Sequence, residues 1–415
     1  MKRLFLVVAV SILCLSAEAQ VKKVLFLGNS YTYYNNLPQQ LVSIAQSFGD
    51  SVYTDQHTPG GNTFSNHASN TLSINKINQD QWDFVVLQEQ SQIPSLPQSI
   101  TGNDHSTPHA ITLNNLIKNN YSCTETVFFM TWGRKNGDAS FCGQHPPVCN
   151  YSGMQQELRN SYLSMATTNS ATVAPVGVAW KTMRDSFPNI DLYTGDGSHP
   201  SIYGSYLAAC VFYSTLFQKT SIGTTHIPTG ITPTEALNIQ TIASNTVLDS
   251  MSVWRINANH PTANFNYSGG GTINFTNTST NGQHYYWDFG DGNNSTNANP
   301  SHTYLNNGNY NVSLIVFTQD SCFSDTIAQN INIISAGISS EMLKSNIIIY
   351  PNPVKDILTI KNLKNNSTVN IYNSIGKLVL SSTYKRNINI VNLPSGMYTL
   401  IIDNKNNTRL KFIKL

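Results

Sequence analysis

The chain has 415 residues, of which 40% are hydrophobic and 11% charged, with a formal net charge of +2 at pH 7. That length exceeds one ordinary domain and suggests about two to four. The near-neutral balance counts against nucleic acid or an acidic polymer as a partner, and Asn, Ser and Thr carry much of the polarity that charged residues usually supply.

Lys2 and Arg3 precede an apolar run over residues 4–15, and Ala17-Glu18-Ala19 places small residues at the two positions a signal peptidase reads. The run is too short for a stable membrane anchor. Residues 1–19 are therefore expected to be a cleavable secretory signal, with the mature chain starting near Gln20. Cys14 follows the bulky Leu13, where a lipoprotein site needs a small residue. After cleavage five cysteines remain: Cys123, Cys142, Cys149, Cys210 and Cys322. Cys142 and Cys149 flank a short loop and are expected to pair in an oxidising compartment. No Cys/His cluster has metal spacing, so no zinc site is expected.

From residue 20 to 255 strands alternate with helices. Apolar runs predict strands at 24–27, from 51, at 84–87, at 127–130 and at 172–178, with helical spacing at 38–48, 111–117, 154–165, 203–216 and 233–251. Continuous apolar strands with helical crossovers imply a parallel sheet covered on both faces, a three-layer α/β/α domain. Residues 258–335 change character to short alternating runs rich in Asn, Gly, Ser and Thr, the pattern of a small β-sandwich. A weak linker at 335–346 leads to a second all-β region at 345–415.

Two motifs in the first region carry chemistry. Leu27-Gly28-Asn29-Ser30-Tyr31-Thr32 directly follows the first strand. Ligands of doubly wound sheets bind beyond the carboxyl ends of strands. A hydroxyl at a helix start is also an ordinary N-cap. The motif is not a GxSxG elbow, because Thr32 stands where the second Gly belongs. The second motif is Gly195-Asp196-Gly197-Ser198-His199-Pro200. A serine nucleophile needs a base, and the base needs a carboxylate to fix its tautomer. Pro200 favours an extended His199 and suits the first turn of the following helix. Taken alone, this loop also reads as a helix cap with an unrelated His.

Together the motifs resemble the SGNH (GDSL-like) hydrolase family, whose Ser comes early and whose Asp-x-x-His comes late. The resemblance covers the first region and implies a flavodoxin-like sheet with Ser30, Asp196 and His199 as its catalytic triad. It also implies an oxyanion hole formed by the amides of Ser30 and Gly61, the latter chosen over Gly60 in Thr58-Pro59-Gly60-Gly61-Asn62-Thr63. The family's Gly-x-Asn-Asp block is replaced by Gln88-Glu89-Gln90-Ser91, so Gln90 stands at the position of the third donor. Gly102-Asn103-Asp104 lies too far past the strand to serve. The implied reaction is two-step acyl transfer without a cofactor. Among the remaining polar residues, His67 is a candidate for the pocket wall. Arg134 should face the site edge, touching substrate or pairing with a carboxylate. Glu89 either tunes the pocket or caps a helix.

Tyr286-Trp287-Asp288-Phe289-Gly290-Asp291-Gly292, with Pro300-Ser301-His302-Thr303-Tyr304, resembles the PKD domain, an immunoglobulin-like sandwich in which Trp287 and Phe289 face inward and His302 is structural. Such modules act as spacers or glycan-binding aids. Ile349-Tyr350-Pro351-Asn352-Pro353, Leu393-Pro394-Ser395-Gly396-Met397-Tyr398 and the Lys411–Leu415 end resemble the C-terminal sorting domain of the type IX secretion system of Bacteroidetes, which implies release or attachment at the cell surface. The whole reads as a secreted serine esterase acting on acylated, in particular acetylated, carbohydrate. The alternatives are a lipase or thioesterase of the same fold, a peptidase, and a non-catalytic surface adhesin.

Overall fold

A computed structural model describes residues 21–334, 347–363, 367–383, 386–403 and 408–415. The expected signal segment and the 335–346 linker lie outside the described residues. The chain divides into two units, 1–335 and 336–415.

The first unit opens with β1 (Lys22–Leu27), α1 (Ser30–Tyr33), α2 (Leu37–Ser47), β2 (Val52–His57), α3 (Phe64–Ser69), α4 (Thr71–Asn78) and β3 (Phe84–Leu87). It continues through α5 (Gln98–Thr101), α6 (Ser106–Asn120), β4 (Glu125–Phe129), α7 (Tyr151–Thr168), β5 (Thr172–Ala174), α8 (Val176–Ser186), α9 (Ile202–Phe217) and α10 (Pro233–Leu248). The five strands form a parallel sheet in the order β2-β1-β3-β4-β5, the flavodoxin-like order. Right-handed crossovers place the helix between β1 and β2 on one face and those between the later strands on the other. β1, β3, β4 and β5 are buried along almost their whole length, as a sheet covered on both faces requires. Helix α9 is likewise buried nearly all round.

The expected fifth strand is shorter than its apolar run. Pro175 ends β5 and precedes α8, so residues 176–178 continue as helix. The hydrophobic run did not reveal this, because a buried strand and a buried helix share that signal.

The second sheet system in this unit comprises β6 (Phe265–Gly269), β7 (Thr272–Asn277), β8 (His284–Asp288), β9 (Asn294–Ser295), β10 (Ser301–Thr303), β11 (Gly308–Phe317) and β12 (Ser324–Ile333). Antiparallel sheets ordered β10-β7-β6 and β12-β11-β8-β9 enclose Phe265, Phe275, Trp287, Phe289 and Val312. His302 stacks on Phe289 at 4.2 Å and bonds Asp291 at 2.7 Å, a structural role.

Among the described residues two disulfides are present. Cys142–Cys149 closes the short loop as expected. Cys123–Cys322 joins the loop before β4 to the sandwich across 199 residues, a pairing that sequence spacing gave no reason to select. His260 reinforces the joint by stacking on Phe323 at 3.8 Å and bonding Glu125 at 3.2 Å. Cys210 is buried and free.

The second unit contains β13 (Ile348–Tyr350), β14 (Ile357–Lys361), β15 (Thr368–Tyr372), β16 (Leu378–Thr383), β17 (Asn387–Asn389), β18 (Gly396–Asp403) and β19 (Thr408–Lys414). Sheets ordered β13-β14-β17 and β16-β15-β18-β19 enclose Leu358, Ile360, Ile371, Leu400 and Phe412. Among the described residues no helix is long and apolar enough to cross a membrane.

The cysteine pattern gives a direct check. Unfolded but unreduced protein beginning at Val21 should take up one equivalent of maleimide, at Cys210, and five after reduction. Uptake of three equivalents before reduction would contradict the 123–322 bridge.

Candidate active site

The sheet order reverses beside β1, with the chain passing first to β2 on one side and then to β3 on the other. The crevice beyond the carboxyl ends of these strands is the switch point where α/β sheets bind ligands, and Gly28-Asn29-Ser30 leaves β1 there. A Cβ on Gly28 would lie 2.6 Å from Thr32 Oγ1 and 2.7 Å from Gln88 Oε1, closer than real Cβ atoms approach. Gln88 uses the space, its Oε1 accepting bonds from the Asn29 amide (2.8 Å) and the Thr32 hydroxyl (3.0 Å).

Asn29, not Ser30, caps α1. Its Oδ1 accepts from the Tyr31 amide, and its Nδ2 donates to Asn62 O at 2.8 Å. The Ser30 hydroxyl is thereby free of capping. It sits 2.8 Å from His199 Nε2, although 169 residues separate the two.

The second loop folds around Asp196. Its Oδ1 accepts from the amides of Ser198 (2.8 Å) and His199 (2.9 Å) and from the Thr194 hydroxyl (2.9 Å). Gly197 takes φ +66°, a conformation that side chains disfavour, and so turns the loop back. Asp196 Oδ2 accepts from His199 Nδ1 at 2.5 Å. That bond leaves the Nε2 lone pair to accept the Ser30 hydroxyl. Partial burial works to raise the Asp196 carboxyl. The bonds from His199 and from the Ser198 and His199 amides outweigh it and hold the group below the usual carboxylate range. Tyr34 stacks on the His199 ring at 4.5 Å, and Tyr31 meets it edge-on at 5.6 Å. The sequence reading put Pro200 in the first turn of α9. In the structure Ser201 is the N-cap, so Pro200 precedes it.

Ser30, His199, Tyr31 and Tyr34 line a pocket of about 370 Å³ together with Gly61, Gln90 and Arg134. Gly61 has φ +72° and, among the described residues, its amide has no hydrogen-bond acceptor. The Gln90 amide donates from Nε2 to Gln92 Oε1 at 2.9 Å, which engages one of its two N–H groups. A larger recess, about 810 Å³, lies at the joint with the sandwich and contains none of these groups.

Two buried titratable residues stand behind the pocket. His67 was expected as a pocket-wall candidate, but it is fully buried one layer deeper. Its Nε2–H donates to Gly28 O at 2.9 Å, so Nδ1 accepts from the Ser73 hydroxyl at 2.8 Å. Burial lowers it to about 4. Glu89 is fully buried too, and its Oε1 accepts from the amides of Phe64 (2.9 Å) and Gln90 (2.7 Å). It therefore bridges the segments after β2 and β3 that carry Gly61 and Gln90. Burial pushes it up to about 8 against the bonds from the Gln90 and Phe64 amides and the Ser106 hydroxyl. Neither role shows as a sequence motif, because each depends on what lies behind a turn.

No curated protein matches the chain. A family model described as the PKD domain matches residues 258–333. A second, the secretion system C-terminal sorting domain, matches residues 348–414. The chain thus carries both modules, and the sorting domain implies secretion and export to the cell surface. Solved structures resemble the N-terminal domain. One is a DUF4886 family protein from Bacteroides uniformis, 20% identical, covering 55% of this chain and 95% of that one with a TM-score of 0.48. Another, from Slackia heliotrinireducens and proposed to be an SGNH hydrolase, is 27% identical, with 48% and 100% covered and a TM-score of 0.39. An acetylxylan esterase from Geobacillus stearothermophilus is 14% identical, with 47% and 93% covered and a TM-score of 0.37.

The two buried groups make a prediction with a definite sign. Glu89 ordinarily titrates near 4.5 and is raised to about 8. Between those values the folded chain holds a proton that the unfolded chain has released, so stability falls as pH rises. His67 moves from 6.5 to about 4, so between those values stability falls as pH drops. The two slopes oppose each other from 4.5 to 6.5, and each acts alone outside that window. Burial lowers His57, His105 and His226 as well, which adds to the His67 slope below pH 6.5, so the thermal unfolding temperature of the mature protein should decline from about pH 6.5 towards 8, and Glu89→Gln should flatten that decline. An unchanged decline in the variant would show that Glu89 is not its source.

Proposed function

We propose that this protein is a secreted or surface-held serine ester hydrolase, in which Ser30 is the nucleophile, His199 the general base and Asp196 its orienting carboxylate. The observation carrying this reading is the unbroken chain from the Asp196 carboxylate through His199 to the Ser30 hydroxyl at 2.5 and 2.8 Å. In the first step His199 takes the Ser30 proton as Oγ attacks the ester carbonyl. The tetrahedral oxyanion is met by the Ser30 and Gly61 amides and the remaining N–H of Gln90. Collapse releases the alcohol, which takes the proton from His199. Water then attacks the acyl-enzyme with His199 again as base, releasing the acid and restoring Ser30. Asp196 stays ionised throughout and holds Nδ1 protonated.

Acetylated carbohydrate is the favoured substrate class. Tyr33 is 44% exposed at the pocket mouth beside Tyr34, and such rings offer flat faces for a sugar. The PKD and sorting modules suit an enzyme delivered to the cell exterior. In this reading residues 1–19 are the removed signal, 20–255 the hydrolase domain, 258–335 the PKD-like module and 345–415 the sorting domain.

The test is hydrolysis of 4-nitrophenyl acetate and acetylated xylan by the mature protein and by Ser30→Ala, alongside fluorophosphonate labelling. The wild type should turn over and be labelled at Ser30. The variant should lose about 10⁴-fold or more in kcat. No turnover and no labelling of the wild type would reject the hydrolase and leave a binding protein.

A further inference from the structure

Arg134 lines the pocket that holds Ser30 and His199. Its side chain is 32% exposed and its nearest acid is Asp138, with Nη1 3.7 Å from Oδ1. That is an ion contact without a hydrogen bond. Asp138 is already served, since Oδ1 accepts from the Ser140 amide at 3.0 Å and Oδ2 from Gln92 Nε2 at 2.5 Å. Among the described residues the guanidinium makes no hydrogen bond, and its Nε is buried without a partner. Nε is thus a buried donor without an acceptor, where such groups are normally paired, and the ion contact with Asp138 engages none of the guanidinium's five N–H groups in a hydrogen bond. Among the described residues no carboxylate lines the pocket, and its other walls are hydroxyl, amide, tyrosine and glycine groups apart from His199.

A guanidinium presents a planar fork that matches a carboxylate in two parallel bonds, and charge-assisted bonds of that kind are about twice as strong as neutral ones. We propose that Arg134 is a specificity-determining residue that selects esters bearing a carboxylate near the scissile bond. This inference rests on the ester hydrolase reading and narrows its substrate class to acidic esters. The carboxylate can belong to the acyl group or to the alcohol, such as a uronate sugar. The chemistry recognised is the same in both cases.

Two matched pairs of substrates separate the sources. 4-Nitrophenyl hemisuccinate beside 4-nitrophenyl butyrate reports on the acyl side, and acetylated methyl glucuronide beside acetylated methyl glucoside reports on the alcohol side. In at least one pair the wild type should favour the charged ester by about tenfold or more in kcat/KM, the range expected for a hydrogen bond to a charged group. Arg134→Gln should abolish that preference, chiefly through KM. Arg134→Lys, which keeps the charge but not the fork, should retain part of it. Hydrolysis of the neutral esters with no charged preference in either pair, or a preference that survives Arg134→Gln, overturns this inference and leaves the hydrolase standing. No hydrolysis of any of the four esters overturns the hydrolase reading and this one with it.

Discussion

Strands β1 and β3 end side by side, and the Gln88 side chain occupies the space that a side chain on residue 28 would need. That close approach governs the whole site. Because residue 28 is Gly, Gln88 can reach both the Asn29 amide and the Thr32 hydroxyl and hold the start of α1. Because Asn29 caps that helix, the Ser30 hydroxyl remains free to meet His199. A methyl group at residue 28 would displace Gln88, and the turn, the cap and the hydroxyl would all lose their support.

Behind this turn the domain keeps polar groups where a core would normally be apolar. His67 holds the Gly28 carbonyl from below, and Glu89 holds the amides of Phe64 and Gln90. Burying such groups is unfavourable unless their bonds are made. Each is kept neutral in the direction its burial dictates, His67 by loss of its proton and Glu89 by retention of it. Pinned from below in this way, three segments that come from different strands keep one geometry. In the proposed hydrolysis, donors preorganised in this way would not have to reorient as charge develops.

The Cys123–Cys322 bridge changes how the PKD module should be viewed. A spacer would be free to swing on its linker. Here a covalent link across 199 residues, with the His260–Phe323 stack and the His260–Glu125 contact beside it, fixes the module against the edge of the α/β domain. Loop-closure reasoning assigns a cross-link of this span roughly 5 kcal/mol of stabilisation against unfolding. Such a bond persists in an oxidising exterior and not in a reducing cytosol, in keeping with the sorting domain at the other end of the chain.

Much of this was legible in the sequence because it is written in local pattern. Apolar runs and helical spacing disclosed the α/β/α domain, the loss of that spacing disclosed the sandwiches, and Gly28-Asn29-Ser30 with Asp196–His199 disclosed the proposed triad. Where local pattern is ambiguous the reading slipped. The run at 172–178 changes from strand to helix at Pro175, and Pro200 precedes the cap of α9. The remainder belongs to tertiary structure. The Cys123–Cys322 pairing, the place of His67 beneath Gly28, the Glu89 bridge and the place of Arg134 at the pocket that holds Ser30 and His199 arise between segments that are distant in sequence. Periodicity and motif spacing report on neighbours along the chain. Only the packing of strands and loops decides which buried polar groups find a partner.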